Sequence, residues 1–230
     1  MTRRWISTGG TRCRYGVDMI AARRPWILVF GVVTVVHLVL LAADADPWDS
    51  ITKCLLAPLL IGWVIRQRGP RLLIVALTGC FLGDLFLELD EAWFPVGMAA
   101  FAVAHVCFIV IFVQRGAGER LRRTPWIPVL FALGGAALIV WCWSGLPSDI
   151  RPLVPFYAAL LAGTAMTAIA VDVRAGIGAV CFMVSDGIIA AAQADRIDAD
   201  ATATGLAIMV LYIAAIFLLT TGILKKGGLP

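Results

Sequence analysis

The chain has 230 residues, of which 61% are hydrophobic and 15% charged, with a formal net charge of +4 and a mean hydropathy of +0.92. A soluble domain carries about 45–50% apolar and about 25% charged residues, so 34 charges (19 basic, 15 acidic) are too few to cover one of this length. The basic residues cluster between apolar runs, which excludes nucleic-acid binding as the meaning of the +4 and marks an integral membrane protein.

In chain order, residues 1–25 read as a basic cytoplasmic tail, polar enough over 1–18 to be disordered, with Met19 an alternative start. Arg3-Arg4 is not read as a twin-arginine signal, because no apolar stretch follows for about twenty residues. Eight apolar runs of helical length come next, over 26–43, 51–66, 71–89, 93–113, 126–143, 150–170, 174–193 and 202–224, and residues 225–230 form a cytoplasmic tail. The first run exceeds a signal-peptide core of ~7–15 residues, so Ala43-Asp44-Ala45 is not read as a cleavage site. The second is the shortest for a span that needs ~17–25 residues; Ser50 and Lys53 extend it into the interface, and Pro58 predicts a kink within it. Pro25, Pro70, Pro125 and Pro152 mark helix starts, where a missing N–H costs nothing. Trp26, Trp48, Trp93, Trp126, Trp141 and Trp143 fall near the span ends as an aromatic belt.

The loop charges fix the orientation. With the N-terminus cytoplasmic, the inner segments hold 16 of the 19 basic residues, among them Arg66, Arg68, Arg71, Arg115, Arg120, Arg122, Arg123 and Arg174. The outer loops are acidic, with Asp44, Asp46, Asp49, Glu88, Asp90, Glu91, Asp149, Asp195, Asp198 and Asp200 against Arg151 and Arg196. The alternation requires an all-α bundle of eight transmembrane helices with both termini cytoplasmic. The six cysteines are dispersed, without a C-x-x-C pair or nearby histidine, so neither a metal site nor a disulfide framework is predicted.

Lys53, Asp84 and Asp186 remain inside spans, and His37 and His105 lie in the first and fourth. A charge at mid-bilayer costs ~2.5–3.5 kcal/mol on insertion scales, so such residues usually line a polar cavity. Asp84 lies seven residues before Glu91 and Asp186 nine before Asp195, which puts both roughly 10–14 Å below the outer boundary at ~1.5 Å per residue. Lys53 enters from the same side, so one outward-open cavity can hold all three. The competing structural readings are ion pairs of the aspartates with Lys53 and Arg151, a snorkelling Lys53, and histidines that bridge helices. Glu88 stands one turn above Asp84 on the same face. Cys80-Phe81-Leu82-Gly83-Asp84 and Cys181-Phe182-Met183-Val184-Ser185-Asp186 each put a small residue before Asp, in spans of the same direction, which suggests a parallel repeat of four plus four helices.

At these residues the chain resembles the YhhN-like, or lysoplasmalogenase, family of eight-span membrane proteins. The matching stretches are Lys53 followed by Leu55-Leu56-Ala57-Pro58-Leu59-Leu60, Leu82-Gly83-Asp84-Leu85-Phe86-Leu87, Phe101 to His105, Tyr157 to Met166, and Phe182 to Ala190. Cys54, Ala104 and Phe108 depart from the family pattern. The resemblance implies a multi-pass protein of the bacterial inner membrane that hydrolyses the vinyl ether bond of a lysophospholipid among membrane lipids, with no cofactor.

The residue types suit that reaction. Vinyl ether hydrolysis needs a proton delivered to the enol-ether carbon, then water added to an oxocarbenium-like cation; neither a serine nucleophile nor a metal is required. Desolvation and mutual repulsion favour one protonated and one ionised carboxyl in a buried pair, which supplies a general acid and a cation-stabilising base. Asp84 and Asp186 are therefore the candidate catalytic residues, with Lys53, Glu88, His105, Tyr157 and Ser185 as candidate substrate contacts and Lys53 on the lipid phosphate. A proton-coupled transporter, or a hydrolase of another lysolipid, would use the same aspartate pair.

Overall fold

A computed structural model describes residues 10–225. Among them the architecture is all helical. Helix α1 spans Gly10–Ala42, α2 Trp48–Arg66, α3 Arg71–Leu87, α4 Phe94–Gln114, α5 Ala117–Arg123, α6 Trp126–Cys142, α7 Val154–Val171, α8 Val173–Gln193 and α9 Thr202–Lys225, with a short 3-10 turn at Glu91–Trp93 before α4. Eight of the nine helices occupy the eight apolar runs. Six of them (α1 from Pro25 onward, α2, α4, α7, α8 and α9) are long and apolar enough to cross a membrane, and α5 with α6 forms a bent pair at 94°. The chain is a multi-pass integral membrane protein; the count of eight crossings, the cytoplasmic termini and the repeat stay proposals.

Several boundaries differ from the sequence expectation. α1 runs through Pro25 and begins at Gly10, so that proline does not open the helix; residues 1–9 and 226–230, parts of the two tails, lie outside the described residues. α2 starts at Trp48 and reaches 19 residues, and it continues through Pro58. α7 starts at Val154, with Pro155 in its first turn, because residues 147–153 are taken up by turns. α5 was not expected. Gly116 adopts φ 86°, a left-handed conformation that glycine enters without steric cost, and it precedes this basic seven-residue helix. From α5, Arg120 donates to the carbonyls of Ala170 and Val171 at 3.0 and 3.2 Å, satisfying groups that the end of α7 leaves open. Asp172 then caps α8, its carboxylate accepting from the Ala175 N–H at 3.1 Å.

The outer surface is apolar where lipid would touch it: Val32, Val35 and Val39 on α1, and Leu130, Leu133 and Val140 on α6, are exposed. A patch of that kind is tolerated in a bilayer and rare on a soluble monomer. Inside, small residues let helices approach. A Cβ on Gly79 would come within 2.8 Å of the Ala100 carbonyl of α4, and one on Gly178 within 2.9 Å of the Leu219 amide of α9. These are the close crossings that membrane bundles build without a hydrophobic drive between helices. One half of the bundle is a solid apolar core of Leu73, Leu77, Phe108, Phe112, Ile216, Leu219 and Ile223, all nearly or fully inaccessible. The intramembrane charged residues Lys53, Asp84 and Asp186 gather at the other half.

Candidate active site

The site is built where α2 and α7 begin, where α3 and α8 end, and in the first half of α9. Lys53 is the sixth residue of α2, Asp84 stands one turn before the end of α3, and Asp186 lies two turns before the end of α8. Adjacent helices of opposite direction thus bring these ends together, and a cavity of about 110 Å³ opens between them. Its walls carry Lys53, Asp84, Tyr157, Ser185, Asp186 and Tyr212, and otherwise almost only apolar side chains such as Leu87, Phe94, Met98, Leu138 and Leu146. Sequence reasoning singled out all of these polar residues but Tyr212.

Each aspartate is held by a tyrosine. Tyr212 Oη of α9 donates to Asp84 Oδ2 at 2.5 Å, and Tyr157 Oη of α7 donates to Asp186 Oδ2. Asp84 is almost completely buried, at 2% exposure, and Asp186 is half-buried. A buried carboxylate needs such partners, since an unpaired polar group in an apolar medium costs several kcal/mol, on the order of 2–7. The two tyrosines are joined by an aromatic floor. Phe182 packs edge-on against Tyr212, with ring centroids 5.5 Å apart, and against His105 at 4.6 Å; His105 in turn meets Tyr157 at 5.8 Å. Phe101 closes the arc against Phe182 and Tyr212, and it fits because Gly83, the residue before Asp84, has no side chain: a Cβ there would lie 2.4 Å from the Phe101 ring.

At the rim, Lys53 Nζ donates to Glu88 Oε1 at 2.5 Å, and Ser50 Oγ donates to the other carboxylate oxygen of Glu88. Lys53 therefore pairs with Glu88 and lines the cavity that holds Asp84; Arg151 takes no part, since it donates to the Leu146 carbonyl. Ser185 lies on the wall, but its hydroxyl donates to the Ile208 carbonyl at 3.0 Å and ties α8 to α9. His105 is fully buried behind the floor, outside the cavity wall, with Nδ1 3.1 Å from the Thr164 hydroxyl of α7. His37 makes the corresponding tie between α1 and α2, its Nδ1 at 3.1 Å from both the Asp49 carbonyl and the Thr52 hydroxyl. Both histidines thus bridge helices. Among the described residues no three His, Cys, Asp or Glu side chains gather as a metal-binding group.

Taken as chemistry, the site offers two carboxyls facing one apolar chamber, each with one oxygen fixed by a phenol, and a cation with its counter-charge at the mouth. Tyr212 escaped sequence reasoning because an aromatic residue in an apolar run reads as core. Its hydroxyl was the available signal, since a buried Tyr O–H nearly always has a partner.

Comparisons with known proteins place the chain in a family. The model of the YhhN family matches residues 48–223, a stretch that contains every residue of the cavity wall. A lysoplasmalogenase of Mycobacterium bovis is 30% identical over 174 residues, 67% of this chain and 66% of that protein, so the matching region spans just under two thirds of that relative. Lysoplasmalogenase TMEM86B of Homo sapiens is 30% identical over 216 residues, covering 90% of this chain and 91% of that protein. No solved structure matches the chain.

Proposed function

The chain belongs to the YhhN family, and from that membership we propose that it is a membrane hydrolase cleaving the vinyl ether bond of lysoplasmalogens to a fatty aldehyde and a glycerophospho-base. The supporting observation is the pairing of Asp84 and Asp186 on one cavity wall, each held by a tyrosine hydroxyl. The relatives named lysoplasmalogenase supply the substrate class.

In this reading one aspartic acid protonates the enol-ether carbon remote from oxygen. The π electrons of the double bond form the new C–H bond, and the adjacent carbon becomes an oxocarbenium ion. The other carboxylate stabilises that cation and takes a proton from the attacking water, as in the carboxyl pairs of glycosidases. The resulting hemiacetal collapses: its O–H proton is lost, the C–O bond to glycerol breaks, and the glycerol oxygen leaves protonated. Overall one water is consumed and no electrons are exchanged. The tyrosines aim the carboxyls, and the apolar chamber strengthens the electrostatic interaction that stabilises the cation. At the mouth Lys53 takes the lipid phosphate.

The test is lipid turnover by purified protein in detergent, against a panel of lysolipids with a vinyl ether, alkyl ether or ester at the same position. Aldehyde release restricted to the vinyl ether is expected, and its loss in both Asp84→Asn and Asp186→Asn. Full activity in either folded variant would remove the dyad.

A further inference from the structure

Beside the catalytic cavity lies a second hollow, of about 350 Å³, between α6, α7 and α8. No charged residue lines it. The two hollows share Leu138, Ala158, Leu161 and Gly187 as common walls, and Gly187 directly follows Asp186. On its other side the second hollow reaches Trp141 and Val184, both exposed on the apolar exterior. It thus runs from the walls it shares with the first cavity, beside Asp186, to the apolar exterior.

We propose that this groove is the hydrocarbon-chain subsite: it holds the alkenyl chain of the lysolipid during hydrolysis and lets the long-chain aldehyde return sideways into the membrane. The proposal rests on the hydrolase reading above, and the direction of the chain follows from it. With the vinyl ether at Asp84 and Asp186 and the phosphate at the Lys53 rim, the hydrocarbon must leave the carboxyls away from that rim. Gly187 and Leu138 provide the opening. A Cβ on Gly187 would sit 3.1 Å from Leu138 Cδ2, so the glycine leaves room for that flexible leucine side chain in the shared wall. Across the groove, Gly134 and Gly135 of α6 have nothing within 4 Å of where a Cβ would stand. Both glycines line the groove and leave open space where a side chain would start, so a larger residue there can enter it.

Gly134→Leu and Gly135→Leu test the assignment, with Gly31→Leu as control, since Gly31 of α1 has equally free surroundings away from the groove. Each methylene pushed out of apolar contact lowers affinity about fourfold. The groove variants are thus expected to lose about tenfold or more in kcat/KM on a long-chain lysoplasmalogen and to stay within about twofold on a butenyl analogue. The control should match wild type on both. An unchanged long-chain rate, or an equal loss on both chain lengths, overturns the subsite. A second measurement needs no variant: a long-chain lysolipid with a diazirine at the chain end is photolysed on the wild-type protein, and the labelled peptides are identified. Labelling of α6 and of α8 after Asp186, displaced by unlabelled long-chain lysolipid, is expected; labelling confined to other helices overturns the proposal. Wild-type turnover of the vinyl ether is scored separately, so absent turnover with a labelled groove refutes the hydrolase reading, and turnover with an unlabelled groove refutes the subsite.

Discussion

Tyr212 and Tyr157 do at single-residue scale what the aspartates cannot do alone. A carboxylate on a membrane helix has two oxygens to satisfy, and a phenol on a facing helix fixes one while leaving the other for substrate. Hydrogen bonds to charged groups contribute about 1.5–3 kcal/mol, so Tyr212→Phe and Tyr157→Phe should each lower kcat about 10–100-fold while the protein remains folded, measured by aldehyde release in detergent. Lys53 stands differently. It is tied to Glu88 at the mouth, so Lys53→Ala should chiefly raise the apparent KM for lysolipid; an unchanged KM would take the phosphate away from Lys53. The charged residues of the site were conspicuous in the sequence because the bilayer makes any intramembrane charge expensive. The tyrosine partner on α9 was not, because nothing in an apolar stretch states which neighbour a hydroxyl will find 128 residues away.

At the scale of helices, the site depends on close crossings more than on any loop. Gly83 on α3 allows Phe101 of α4 to pack against the helix at the residue before Asp84. A methyl group forced against that ring costs typically 1–3 kcal/mol, so Gly83→Ala should lower the unfolding midpoint in detergent and reduce turnover together. His37→Ala removes a tie between α1 and α2 outside the cavity wall, beside the Lys53 rim; a loss of about 0.6–1.7 kcal/mol of stability is expected by the range of intramembrane hydrogen bonds, with kcat retained and any functional change confined to KM. Periodicity and length placed eight of the helices, yet α5 was hidden. Its seven residues, Ala117–Arg123, are too short and too basic to show as a span, and their use as a brace for α7 through Arg120 depends on contacts 50 and 51 residues apart. The start of α1 was misplaced for a related reason: Pro25 is compatible with a first turn but does not require one.

For the whole molecule, topology and permeability are the properties to test. Eight crossings with both termini inside predict that a cysteine introduced at Asp149 or Asp198 in a cysteine-free background reacts with an impermeant maleimide added to intact cells, and that one at Arg122 reacts only after permeabilisation. Equal labelling at both would overturn the orientation.

Beneath the cavity, the aromatic floor and the packed half that contains Phe108, Phe112, Ile216 and Leu219 hold no buried carboxyl among the described residues, only the His105 ring and the hydroxyls of Thr164, Thr167 and Thr220. An acid pair open to one face and stoppered on the other is electrically silent. Vesicles carrying the protein should hold an imposed pH gradient as long as bare lipid does, and a collapse of that gradient would point to a proton-coupled carrier. On the proposed reading, that packed half is what would let acid chemistry run inside a membrane without draining a proton gradient across it.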